Sequence, residues 1–179
     1  MSRIVRLSIA ALAVALLVPV VPAKEEKVSP DKLPQSVLQA VKARFKELPI
    51  KGAGREIEEG KPVYEVSLVE KGKTIDVTVS PEGNLLKIER EIARKGLPKA
   101  AVEALEQKYP KATWKIVEEI TTVENKKETL AGYEVLLATE QGQIVEVELA
   151  GDGTISNVEE KKGPATQEAE GEDEDEDDE

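Results

Sequence analysis

The chain contains a long block of itself twice, and this restricts its fold more than any other feature. A stretch opening at Leu33-Pro34 returns at Leu97-Pro98, and Tyr64-Glu65-Val66 corresponds to Tyr133-Glu134-Val135. Ile75, Val77, Val79 and Gly83 then align with Val145, Val147, Leu149 and Gly153. Self-similarity on this scale means two copies of one supersecondary unit. A unit of about 60 residues buries only about 60% of the surface its unfolded chain exposes. The two copies are therefore expected to share or abut a sheet rather than fold as separate beads.

Within each copy the periodicity changes once. Val37, Leu38, Val41, Phe45 and Leu48 recur at helical spacing and end at Pro49, and Ala101, Val102, Leu105 and Tyr109 do the same before Pro110. Asp31 and Pro34 suit the start of the first helix. Phe45 and Tyr109 hold the same place, so one aromatic per helix should press on a sheet. A period of two follows. The first strands are expected around Arg55 to Glu58 and Thr113 to Glu124, the latter with Trp114, Ile116 and Ile120 in one phase against Lys115, Val117 and Thr121. Tyr64, Val66 and Leu68 alternate next, a hairpin turns near Lys71-Gly72-Lys73, and Ile75, Val77 and Val79 alternate with Thr74, Asp76 and Thr78. Pro81-Glu82-Gly83-Asn84 and Gly151-Asp152-Gly153 form turns before closing strands at about Leu85 to Glu91 and Thr154 to Glu160. Arg94-Lys95-Gly96 links the copies, and Glu124 to Leu130 reads as an extended hairpin tip found only in the second.

The termini set the cellular side. Arg3 and Arg6 precede an apolar run from Leu7 to Val21, and Val21-Pro22-Ala23 follows, the pattern of a secretory signal peptide over residues 1–23. Pro19 interrupts the run, which is shorter than the roughly 20 apolar residues of a membrane span. A secreted or periplasmic protein, with no span after cleavage, is expected, led by a polar segment at 24–32 and behaving as a monomer. At the other end, Glu168 to Glu179 holds ten carboxylates and no cation, so 163–179 is expected to be a disordered acidic tail. Most of the formal charge of −11 lies there, since residues 24–167 carry 26 acidic and 23 basic side chains. No basic stripe remains to bind a phosphate backbone, which argues against nucleic acid.

The chain has no His and no Cys. This removes the commonest neutral-pH general base, the commonest transition-metal ligands, thiol nucleophiles and disulfides. No cofactor is expected, and any ion binding is confined to weak Ca²⁺ association with the acidic tail. Ser29-Pro30-Asp31-Lys32 matches S-x-x-K but lacks the companion motifs of serine acyltransferases, and Gly72-Lys73-Thr74 lacks the first glycine of a P-loop. No catalytic residue is assigned, and the chain reads as a non-enzyme.

Taken together, the Leu-Pro helix start, the aromatic and proline at the helix end, Tyr-Glu-Val, the Gly hairpin, Val-x-Val and the late turn glycine resemble the PepSY-like domain. The resemblance covers residues 33–91 and again 97–160. It implies an α+β fold of two tandem repeats, each one helix on a four-stranded antiparallel sheet, like the β-lactamase inhibitor protein. It also implies an extracytoplasmic place and a non-enzymatic role in binding or inhibiting another protein, for example a peptidase.

The alternation leaves one sheet face polar, with Glu65, Ser67, Asp76 and Thr78 in the first copy and Glu134, Glu146 and Glu148 in the second. That face should meet solvent or a partner. Candidate partner-binding residues are Glu134, Glu146 and Glu148, whose carboxylates could raise one another's pKa, and Trp114, for which core packing is the commoner role. The expected partner is an extracytoplasmic protein or peptide. The alternative is an envelope accessory protein whose acidic tail binds divalent cations or a cationic partner.

Overall fold

The structure is a computed structural model that describes residues 26–58 and 60–161. The expected signal peptide and acidic tail lie outside the described residues. The chain forms β1 (Glu26–Lys27), α1 (Gln35–Phe45), β2 (Ile50–Glu58), β3 (Lys61–Glu70), β4 (Lys73–Val79) and β5 (Leu85–Glu91). It continues through α2 (Lys99–Lys108), β6 (Thr113–Glu124), β7 (Lys127–Ala138), β8 (Ile144–Ala150) and β9 (Ile155–Lys161).

The strands join in sequence order into one nine-stranded sheet, with β1 as a short addition on β2. The copies thus share a sheet, and the four-stranded sheet expected for each repeat is part of one larger sheet. Each repeat supplies a helix and four strands, but β5 pairs antiparallel with β6, so the sheet runs unbroken across the repeat boundary. The physical reason is edge satisfaction: two separate sheets would expose more unpaired strand edges than one continuous sheet.

Both helices begin directly after a proline whose backbone is extended. Pro34 and Pro98 occupy the cap position, and their carbonyls accept the first helical bonds, from Leu38 at 3.1 Å and Ala101 at 3.0 Å. Asp31 is therefore not the helix cap expected from the sequence. It lies in a short 3-10 turn over Pro30–Lys32, where it accepts a hydrogen bond from the Ser29 hydroxyl. The S-x-x-K residues thus sit in an exposed turn ahead of the helix.

Val37, Val41 and Phe45 of α1 pack on Val66, Val77 and Ile88, and Ala101 and Leu105 of α2 pack on Val135, Leu137 and Val147. The two cores lie on the same side of the sheet. Ile88 of the first core pairs with Thr121, Arg90 pairs with Glu119, and side chains at alternate positions share a face, which carries Val117 of the second core to that side. Phe45 is held in the first core with Arg44 and Arg90 over its ring, and Tyr109 packs against the second. In each repeat the turn before the closing strand tucks under the helix start. Gly83 has φ +90°, and a Cβ there would lie 2.8 Å from the Ser36 carbonyl oxygen; Gly153, at φ +89°, would bring one within 3.0 Å of Ala101. Glycine is required at both by conformation and by space.

Three strands depart from the sequence reading. β2 begins at Ile50, five residues before the expected start, because Gly52, Ala53 and Gly54 pair with β3 although their side chains carry little strand signal. In β6 the register shifts between Trp114 and Ile116, which turns Val117 into the core and leaves Ile116 42% exposed. A bulge changes which parity is buried, and simple alternation cannot anticipate it. The hairpin tip expected over Glu124 to Leu130 is only Asn125-Lys126, both at positive φ, and pairing resumes at Glu124 with Lys127. Two central residues at positive φ match the twist of the flanking strands. The end of this long hairpin reaches the first repeat: Val123 packs on the first core, and Arg44 of α1 pairs with Glu128 at 2.9 Å.

Candidate functional site

Both helices occupy one side of the sheet, and the other side carries a run of carboxylates. Its composition follows from parity: the residues next to each core position along its own strand face this way. Asp76 stands directly across from Glu89 between β4 and β5. Glu91 stands across from Glu118, Glu118 from Glu134, and Glu134 from Glu148, a file of four glutamates from β5 to β8. Glu146 faces Glu159 on β9, and Glu65 on β3 adds a carboxylate beside Asp76. Directly opposed like charges destabilise a sheet, each pair by some fraction of about 1 kcal/mol. A face selected for stability alone would alternate their signs.

Two lysines, Lys87 on β5 and Lys161 on β9, answer part of this charge. Lys87 Nζ lies 3.1 Å from Glu89 and 3.8 Å from Glu58, and Lys161 Nζ lies 2.9 Å from Glu146 and 3.1 Å from Glu159. No ion pair among the described residues reaches Asp76, Glu118 or Glu134. Burial makes this arrangement costly, since the Glu89 and Glu146 side chains are only 13% and 16% exposed.

The protonation behaviour follows. Burial first, then the charges of Asp76, Glu89 and Glu56 against the opposing pull of Lys87, push Glu65 up to about 7. Burial first, then Asp76, Glu89, Glu91 and Glu146, push Glu118 up to about 7. Glu134 rises furthest, to about 8, from burial first, then the charges of Glu146, Glu89 and Glu118 and a hydrogen bond with Glu146. Lys87 is held above its ordinary value even though its burial opposes this, because Glu89 both attracts and hydrogen-bonds it and Glu58 and Glu65 add their charge.

One further observation sets this face apart from a solvated strand surface. Thr78 pairs across with Glu65 and Lys87, so its side chain points to the carboxylate side, and it is 0% exposed. Its hydroxyl oxygen and Asp76 Oδ1 are buried without a hydrogen-bond partner among the described residues. An unsatisfied buried polar group costs about 1–3 kcal/mol. Two of them, two residues apart on β4, are a deficit that a polar ligand would relieve.

Of the residues singled out from sequence, Glu134, Glu146 and Glu148 come together here. Trp114 does not: it lies on the helix side against the second core, with the Arg94 guanidinium 4.2 Å from its ring centre. Arg94 in turn pairs with Glu106 of α2. Glu89, Glu91, Glu118 and Lys87 were not identified from sequence. Their alternation was readable, but their alignment with repeat two depended on the β5–β6 register. A depression of about 800 Å³ opens elsewhere, between Glu58, Lys61, Val63, Pro81 and Leu86, and none of Glu65, Asp76, Glu118 and Glu134 lines it. Among the described residues no helix is long and apolar enough to cross a membrane, and no three acidic side chains are grouped so as to hold a metal ion.

A tandem helix-and-strand repeat merged into one sheet, with one covered and one acidic face, defines a class of two-repeat, one-sided scaffolds. The chain belongs to the family described provisionally as beta-lactamase-inhibitor-like, PepSY-like, whose pattern matches residues 20–87 and 87–156. Solved structures share the fold. A protein of Bacteroides eggerthii, assigned provisionally to the periplasm, is 12% identical with a TM-score of 0.56, over 71% of this chain and 88% of that one. A DUF2874 family protein of Bacteroides uniformis is 13% identical with a TM-score of 0.55, over 71% and 88%. A BLIP-like protein of Bacteroides fragilis is 20% identical with a TM-score of 0.50, over 74% and 89%. No functionally curated protein matches the chain.

Proposed function

We propose that this protein is an extracytoplasmic, non-catalytic binding module that engages a protein or peptide through the uncovered face of its sheet, and so regulates or inhibits an extracytoplasmic enzyme such as a peptidase. The observation that carries this reading is the file of half-buried, like-charged residues on a rigid nine-stranded platform. Such a file costs folding stability, which a bound partner would offset. The signal-like first 23 residues and the provisional periplasmic assignment of the B. eggerthii structure support the location. The family's inhibitor-like description supports the non-catalytic role.

The test is photo-crosslinking from the sheet. A crosslinker placed at Glu148, on the open face, is expected to capture a discrete extracytoplasmic protein, whereas one at Glu103 on α2 captures none. Equal capture from both positions would remove the face-specific reading. Repeating the experiment on a chain ending at Lys162 addresses the acidic tail. Capture that disappears with the tail assigns binding to its ten carboxylates, and capture that persists assigns it to the sheet.

A further inference from the structure

We propose that the occupant of the uncovered face is a basic segment in extended conformation, placing one cationic side chain over Glu65, Asp76 and Thr78 and a second over Glu118 and Glu134. The proposal rests on the binding-module reading above and names the chemistry of the partner.

Three observations support it. Like-charged residues stand opposite one another across β4 to β8, and although Lys87 pairs with Glu89 and Lys161 with Glu146, no ion pair among the described residues reaches Asp76, Glu118 or Glu134. Within the first subsite, the Thr78 hydroxyl is fully buried and, among the described residues, unpaired, and one oxygen of Asp76 beside it is likewise without a partner among them. Both can accept a hydrogen bond, and an ammonium or guanidinium supplies only donors. Lys87 already shows how the face receives a cation, held between Glu89 and Glu58. A single metal ion suits the site less well, because among the described residues no three acidic side chains are grouped to coordinate one. A cationic side chain needs no such convergence, since its donors spread over a wider arc.

The fold also sets the spacing. The first subsite lies between β3 and β4 and the second between β6 and β7, three strand intervals apart. Neighbouring strands are about 4.8 Å apart, which puts the subsites about 14 Å apart across the sheet; Glu118 also lies two residues further along the strands than the Asp76–Glu89 row and four further than the Glu65–Thr78 row, so the direct separation is about 16–20 Å. An extended chain rises about 3.4 Å per residue, so two side chains on the same side of it at positions i and i+6 span about 20 Å and reach both subsites. Glu89 lies between the subsites and couples electrostatically to Glu65, Glu118 and Glu134.

The experiment uses the purified protein and a synthetic peptide repeating Lys-Thr-Val-Thr-Val-Thr, which places a lysine at every sixth residue. Binding is followed by calorimetry and by backbone amide NMR. The expected result is binding that weakens as salt rises, with amide shifts centred on Asp76, Glu89, Glu118 and Glu134. A peptide of equal charge with its lysines in one block should bind at least about 10-fold more weakly. The double variant Asp76→Asn and Glu118→Gln should lose at least about 10-fold, while the Trp114 near-ultraviolet signal, from the opposite face, shows that it is folded. Shifts confined to the helix side, equal affinity for both peptides, or displacement of the peptide by Ca²⁺ alone at low millimolar concentration would each overturn the proposal. The two readings fail separately. A native partner captured equally by wild type and the double variant overturns the basic occupant and leaves the module. Peptide binding without face-specific capture of any protein overturns the module and leaves the cation preference.

Discussion

The two faces of this sheet are built from the same strands by opposite rules. On the helix side, Val66, Val77, Val135 and Val147 are completely buried against two short helices, each packed on its own repeat. On the other side, carboxylates oppose carboxylates from β4 to β9, and a threonine hydroxyl lies buried without a partner among the described residues. Because side chains alternate along a strand, neither face dictates the composition of the other. One face pays for folding, and the other carries a standing electrostatic cost that folding does not explain.

The largest effect expected from this contrast is on the covered side. Leu137→Ala, at 0% exposure in the second core, should cost about 2–5 kcal/mol in denaturant unfolding. A loss under about 1 kcal/mol would mean the helix side is not where stability resides.

The next effect is one of pH. Glu65 and Glu118 titrate near 7 and Glu134 near 8 in the folded chain, against about 4.3 for an unperturbed glutamate. Between about pH 5 and 8 the folded state therefore binds more protons than the unfolded state, and stability falls as pH rises through that window. Glu128 and Asp152, whose values are lowered, by hydrogen bonds from Arg44 and Thr154 respectively, act in the opposite direction below the window. Discounted for partial exposure, the three raised carboxylates should lower Tm by about 5 °C between pH 5 and pH 8. A Tm that rises over this range would contradict the electrostatic account of the open face.

A substitution sharpens the same point. Glu134→Gln keeps the shape, removes a charge and should stabilise the protein at pH 8 by about 1 kcal/mol while changing little at pH 5. Equal effects at both pH values would point to packing instead of charge. The smallest effect concerns the contact between repeats: Arg44 and Glu128 are each 42% exposed, so Arg44→Ala should cost no more than about 1 kcal/mol, measured by thermal unfolding at low salt.

Much of the fold was legible because the repeat reports each element twice. The two helices, the β3–β4 hairpin and the β5 strand over Leu85–Glu91 follow from periodicity, proline and glycine. The early start of β2 was not legible, because Gly52 and Gly54 contribute pairing without side chains. The phase of β6 was not legible either, because the bulge at Trp114 to Ile116 reverses the parity that alternation predicts. For the same reason Val117, and not Ile116, enters the core.

The candidate site divides the same way. Glu134, Glu146 and Glu148 were visible as a polar phase on strands of the second repeat, since intrastrand alternation is a local property. Joining them to Glu89, Glu91 and Glu118 required the β5–β6 pairing, which is set by long-range packing. By itself the sequence determined two copies of a helix-and-strand unit and one polar phase per strand, because periodicity and turn chemistry are written in neighbouring residues. Only the tertiary structure decided that the copies share one sheet, that both helices lie on the same side, and that the polar phases line up into a single acidic file. Those outcomes depend on register between strands far apart in the chain, and register is fixed by the packing of the whole sheet.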